Sequence, residues 1–142
     1  VTPGGQFSQE VRDQVFWREE GACVLCGSGQ SPNWQHRKAR GSGGTRKVMT
    51  AANGLLLCHL CHMAVEASPA DARVLGYRVD QYADPAVVPV WRARFGSWAL
   101  LTVGGLAVFA EWPDEGVVCT EVEARTVAER LTNRAGTARF VP

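Results

Sequence analysis

Two C-x2-C pairs constrain this chain more than any other feature. Cys23 and Cys26 form CVLC, Cys58 and Cys61 form CHLC, and 31 residues separate the pairs. A two-residue gap lets both thiolates of a pair bind one metal ion without strain, and two such knuckles make a tetrahedral cage for a single structural zinc. Two buried disulfides, or one redox C-x2-C, are the alternatives. The first residues, VTPGGQFSQEVRD, carry no apolar secretory core, which disfavours disulfides. Redox motifs come singly, whereas this one is doubled. The gap is longer than zinc-ribbon spacing and leaves room for an insertion between the knuckles. The fifth cysteine, Cys119, reads as a buried apolar residue.

At 142 residues and 20% charged residues, the chain is about one soluble globular domain. No apolar run is long enough for a membrane span, and a cytoplasmic location is expected. Formal net charge is only +1, so charge distribution is more informative than the total. Residues 21–65 contain no Asp or Glu but carry Arg37, Lys38, Arg40, Arg46 and Lys47. Such a purely basic segment suits phosphate contact, although a solvated loop is the plainer alternative.

Periodicity and turn signals supply a coarse order. Ser8 caps a helix through QEVRDQVFWREE, with Val11, Val15 and Trp17 as its buried face and Gly21 as its end. A short strand spans 34–40, and Asn53-Gly54 is a turn before the apolar run LLLC. The second knuckle leads into a short helix, HMAVEAS, and Pro69 restarts another that Gly76 closes. Beyond it, VVPVW, SWALLTV and LAVFAEW read as strands, with Gly104-Gly105 as a two-residue hairpin turn. A helix is expected over 121–133, with Val122, Val127 and Leu131 inward, and a loosely held tail from Gly136. The expected organisation is α+β, with an N-terminal helix (1–20), a zinc-stapled core (21–80) and a β-rich extension ending in a helix (81–142).

Of the three histidines, His36 lies between the knuckles, His59 inside the second and His62 directly after it. His62 and Glu66 stand four apart, so on a helix they share a face and can chelate a divalent ion; a surface His–Glu pair is the alternative. His59, between two metal-bound cysteines, points to solvent or phosphate.

The wider order is His36, sixteen residues, Asn53, eight residues, His62. With QHRKARGSGG (35–44), NGLLLCHLCH (53–62) and AVE (64–66), it resembles the HNH endonuclease superfamily, in its actinobacterial and actinophage branch. DPAVVPVW (84–91) is similar to the segment C-terminal to the motif in that branch. The resemblance covers residues 21–80 and implies a ββα-metal core that hydrolyses DNA phosphodiesters, nicking or cutting duplexes to leave 5′-phosphate and 3′-hydroxyl ends. It implies His36 as general base, Asn53 orienting the histidine-bearing strand, and a catalytic divalent ion (Mg2+, Mn2+, Ni2+ or Zn2+) held by His62 and Glu66. Where the family carries a charged ligand or histidine before the first His, this chain has Gln35, whose amide oxygen is a neutral ligand. Arg37, Lys38, Arg40, Arg46 and Lys47 become DNA contacts. A phage terminase or packaging partner, in a bacterial host cytoplasm, is implied by the same branch. The competing expectation is a non-catalytic zinc-ribbon module that binds nucleic acid or protein.

An imidazole base predicts a cleavage rate that climbs over roughly pH 6–7 as the ring loses its proton and then levels off. A rate–pH profile that stays flat across that interval would remove His36 from the role.

Overall fold

In the computed structural model of the chain, residues 6–38, 49–110 and 120–140 are described, 137–140 by backbone alone. The element order is α1 (Gln9–Arg18), β1 (Pro32–His36), β2 (Gly54–Cys58), α2 (His59–Glu66), α3 (Pro69–Val74), β3 (Val90–Arg92), β4 (Ser97–Leu101), β5 (Ala107–Phe109) and α4 (Glu121–Phe140). Among the described residues the architecture is mixed α+β with two small antiparallel sheets, β1-β2 and β3-β4-β5. Among the described residues no helix is long and apolar enough to cross a membrane.

The β1–β2 hairpin is packed on both faces. Its register pairs His36 with Gly54 and Trp34 with Leu56, so these four share one face. That face meets α1 through a small cluster of Val15, Ala51 and Leu56, with Val11 and Trp34 at its edge. The other face presents Leu55 and Leu57 to the main core, which holds the cysteines, Ala64 and Val65 of α2, Trp91, Trp98 and Leu101 of the second sheet, and α4. Residues of the 21–80 segment and of the extension after it share one hydrophobic interior.

Local signals account for most element ends. Ser8 Oγ accepts the Val11 N–H at 3.2 Å and caps α1. Asp84 caps a 3-10 turn over Pro85–Val87, which shortens the expected VVPVW strand to Val90–Arg92. The hairpin loop between β4 and β5 is longer than expected: Thr102 N–H bonds Leu106 C=O at 2.8 Å across three residues, with Gly105 at φ +93°. Trp17 is 77% exposed and not inward, because α1 turns Val15 to the hairpin and Trp17 lies off that stripe. Likewise Val122 is exposed; the buried stripe of α4 is Ala124, Val127, Ala128, Leu131 and Ala135. The helix continues to Phe140, past the expected loose tail from Gly136.

Two buried charged groups tie the elements together. Glu19, fully buried, accepts from Arg18 Nε at 2.6 Å and from Arg92 at 2.8 Å, linking α1 to β3. Arg37 is also fully buried, and its guanidinium donates to four backbone carbonyls: Gly76 (2.8 Å), Ala52 (2.8 Å), Pro85 (2.7 Å) and Val88 (2.7 Å). Burial, and less strongly the charge of Arg18, pushes its pKa down. The expectation that Arg37 contacts DNA is therefore corrected: its donors are spent inside the fold.

Replacing Arg37 by Met leaves these carbonyls without their donor in the interior. Urea unfolding should show a loss of about 3–5 kcal/mol, and Arg37→Lys, a point charge without the fork, should recover little of it.

Candidate metal centre and candidate active site

The first knuckle is shaped by its own backbone. Gly27 N–H bonds Cys23 C=O at 2.8 Å, Gly27 takes φ +81°, and Cys26 N–H points at Cys23 Sγ at 3.4 Å. Knuckle two uses a strand-to-helix junction: Cys58 ends β2 and caps α2, and Cys61 sits in the first helical turn. The four Sγ atoms lie within 4.8 Å of one another, with Cys26 and Cys58 3.7 Å apart. A tetrahedral Zn2+ with bonds of about 2.3 Å spaces its sulfurs about 3.8 Å apart. None of the four is in a disulfide. Hydrogen bonding with Cys26 raises the Cys23 pKa to about 11, and Cys61 is raised by hydrogen bonds with Cys23 and Cys26 and by burial. Thiols crowded in this way ionise together only around a cation, so the donor set fits zinc. Cys119 lies outside the described residues.

The second group of residues surrounds the end of β1. The half-buried His36 ring stacks on Phe7, with centroids 4.1 Å apart and planes 12° from parallel. Its cross-strand partner Gly54 leaves room for this wall: a Cβ there would fall 2.9 Å from Val15 Cγ2 and 3.4 Å from Phe7 Cζ. Asn53 is fully buried and clamps the chain two residues past His36. Its Oδ1 accepts Lys38 N–H at 2.7 Å, its Nδ2 donates to Lys38 C=O at 3.3 Å, and its own carbonyl accepts Arg37 N–H at 2.8 Å. Lys38 is half-buried, and its Nζ donates to Ala83 C=O at 3.1 Å.

On α2, His62 Nε2 and Glu66 Oε1 are 3.6 Å apart, with Glu66 the more exposed. Burial lowers the His62 pKa; the Glu66 charge opposes this and His59 adds to it. The ring is thereby favoured in its neutral, metal-binding form. His62 Nδ1 is buried and has no hydrogen-bond partner among the described residues. Gln35, 5% exposed, donates from Nε2 to Tyr77 C=O at 3.3 Å, and its buried Oε1 is likewise unpartnered among the described residues. His59 is exposed, as expected.

Strand alternation separates these groups. Trp34 and His36 leave the hairpin towards α1, Gln35 leaves it on the other face, and α2 packs against that other face through Ala64 and Val65. The structure thus joins Asn53 to the backbone of Arg37 and Lys38 directly after His36, and His62 to Glu66 on one helix. Trp34 packs into the α1 interface, its Nε1 donating to Arg12 C=O at 3.0 Å. Arg40, Arg46 and Lys47, and the glycines of RGSGG, lie outside the described residues.

The stretch 77–83, unassigned from sequence, is the tip of a loop that Arg37 and Lys38 hold against the end of β1 and whose Tyr82 is 88% exposed. Its DQYADP run is turn-rich, and that was the available signal. Comparison with protein-family models, with curated proteins and with solved structures finds no match to this chain.

The four-thiol cage predicts one zinc per chain by elemental analysis, lost on Cys61→Ser. Zinc held by four thiolates contributes on the order of 10 kcal/mol, comparable to the whole stability of a small domain. A strong chelator should therefore abolish the cooperative thermal transition of the native protein.

Proposed function

We propose that the protein is a metal-dependent DNA endonuclease of the HNH, ββα-metal kind, with a structural zinc in the four-cysteine cage. The observation that carries this is the Asn53 clamp. A buried amide bonded to both the N–H and the C=O of Lys38 fixes the strand end that bears His36. Directly after that hairpin, α2 offers His62 and Glu66 side by side.

In this reading His36 takes the proton of the attacking water while Asn53 holds the strand that aims its ring. The stacked Phe7 fixes the plane of the imidazole. The water oxygen bonds to phosphorus, the bond to the 3′-oxygen breaks, and that oxygen takes a proton from solvent, leaving a 5′-phosphate and a 3′-hydroxyl. His62 and Glu66 are the ligands for a divalent ion, with Gln35 Oε1 as a neutral third donor; such an ion supplies charge stabilisation to the phosphorane and the leaving oxygen. Mg2+, Mn2+, Ni2+ and Zn2+ all suit one imidazole with one carboxylate. Lys38, Arg40, Arg46 and Lys47 supply the phosphate contacts.

One observation favours a second reading, a non-catalytic zinc module. His36 lies flat on Phe7 on the face of the hairpin that meets α1, whereas α2 packs on the other. The two readings separate in a plasmid assay. Supercoiled DNA is incubated with native protein or His36→Ala under each of the four metals. The endonuclease reading expects nicking by the native chain that drops by about 10²–10⁴-fold in the variant at unchanged zinc content. If DNA is bound yet left intact under every metal, the protein is a binding module.

A further inference from the structure

Tyr82 is 88% exposed, yet it does not sit on a loose loop. Its N–H donates to Asp80 Oδ1 at 2.9 Å, and the Ala83 N–H donates to Asp80 C=O at 3.0 Å, which folds the turn. Each flank of the turn is fastened to the end of β1. Gln35 Nε2 bonds Tyr77 C=O, Val79 N–H bonds Arg37 C=O at 2.9 Å, the Arg37 guanidinium holds Gly76, Pro85 and Val88, and Lys38 Nζ holds Ala83, the residue next to Tyr82. At the base, Gly76 approaches Pro89 so closely that a Cβ would lie 2.0 Å from its carbonyl oxygen. A second large apolar side chain, Val87, is 67% exposed on the same loop. The carboxylates of Asp80 and Asp84 are engaged with backbone N–H groups of the loop itself.

A ring already carried on a fastened turn loses little freedom when it meets a flat, apolar partner. The fastening is made by Gln35, Arg37 and Lys38, the residues flanking His36, and Lys38 stands two residues beyond that histidine. From this juxtaposition we infer that Tyr82 is a stacking platform for an unpaired nucleobase, so that the chain prefers nucleic acid with single-stranded character beside the bound phosphate. Stacking on an aromatic face is sequence-tolerant and needs no local positive charge. The inference rests on the nucleic-acid side of the proposed function and does not require cleavage.

The test is fluorescence anisotropy of the zinc-loaded protein, without added catalytic metal, on a fluorescein-labelled oligothymidylate and on a labelled duplex of equal length. The native chain should bind the single strand more tightly. Tyr82→Ala should weaken single-strand binding about tenfold or more while changing duplex binding little, and Tyr82→Phe should stay within about twofold of native. Zinc content and urea midpoint of both variants should match the native protein, as expected for so exposed a side chain. If native protein binds DNA and Tyr82→Ala binds the single strand equally well, the stacking role is overturned and the endonuclease proposal stands. An equal loss in Tyr82→Phe would assign the effect to the hydroxyl and overturn stacking as well. Absence of any DNA binding by the native chain would end both proposals.

Discussion

Four sulfurs within 4.8 Å of one another set the terms for everything around them. Cys58 and Cys61 straddle the junction of β2 and α2, so fixing their sulfurs fixes the angle at which the helix leaves the hairpin. Cys23 and Cys26 bring in the turn after α1, and Val24 N–H bonds Leu56 C=O at 2.9 Å beside it. A cation in the cage would thus join the turn after α1, the end of β2 and the start of α2. The buried stripe of α4, three of its five positions alanine, closes the core over α2 at short range.

A second constraint works without any ion. The stretch from Gln35 to Lys38 alternates in purpose residue by residue. Gln35 and Arg37 turn inward to the carbonyls of the 76–88 loop, while His36 turns to Phe7 and α1. The Asn53 amide then fixes the backbone at Lys38. A buried charge held by four carbonyls is an unusual way to fasten a loop. Its advantage is geometric, since one planar fork reaches three separate backbone segments around residues 52, 76 and 85–88.

Much of this was legible in the chain itself. The doubled C-x2-C spacing pointed to the cage, Ser8 to the start of α1, Pro69 and Gly76 to the bounds of the third helix, and Asn53-Gly54 to the turn into β2. Such signals are local and carry their own physics. What escaped was decided by tertiary contacts. Arg37 reads as a surface cation until four carbonyls converge on it, and sequence does not say which carbonyls those are. Trp17 and Val122 look like core residues by hydrophobicity, but the stripes that pack are offset from both. Alternation along β1 sends His36 and Gln35 to opposite faces; the same period of two was available in the sequence, but which helix would cover which face was not.

The loop from Gly76 to Pro89 is closed at its base by an approach that no side chain at position 76 can accommodate. Its tip, from Asp80 to Asp84, is exposed apart from the half-buried Ala83. A crown whose backbone is fastened while side chains such as Gln81 and Tyr82 stand in solvent can change those letters over generations at little risk to folding. Diversification of whatever this protein meets at that crown would therefore be written in a handful of letters there, while the residues that grip the root stay as they are.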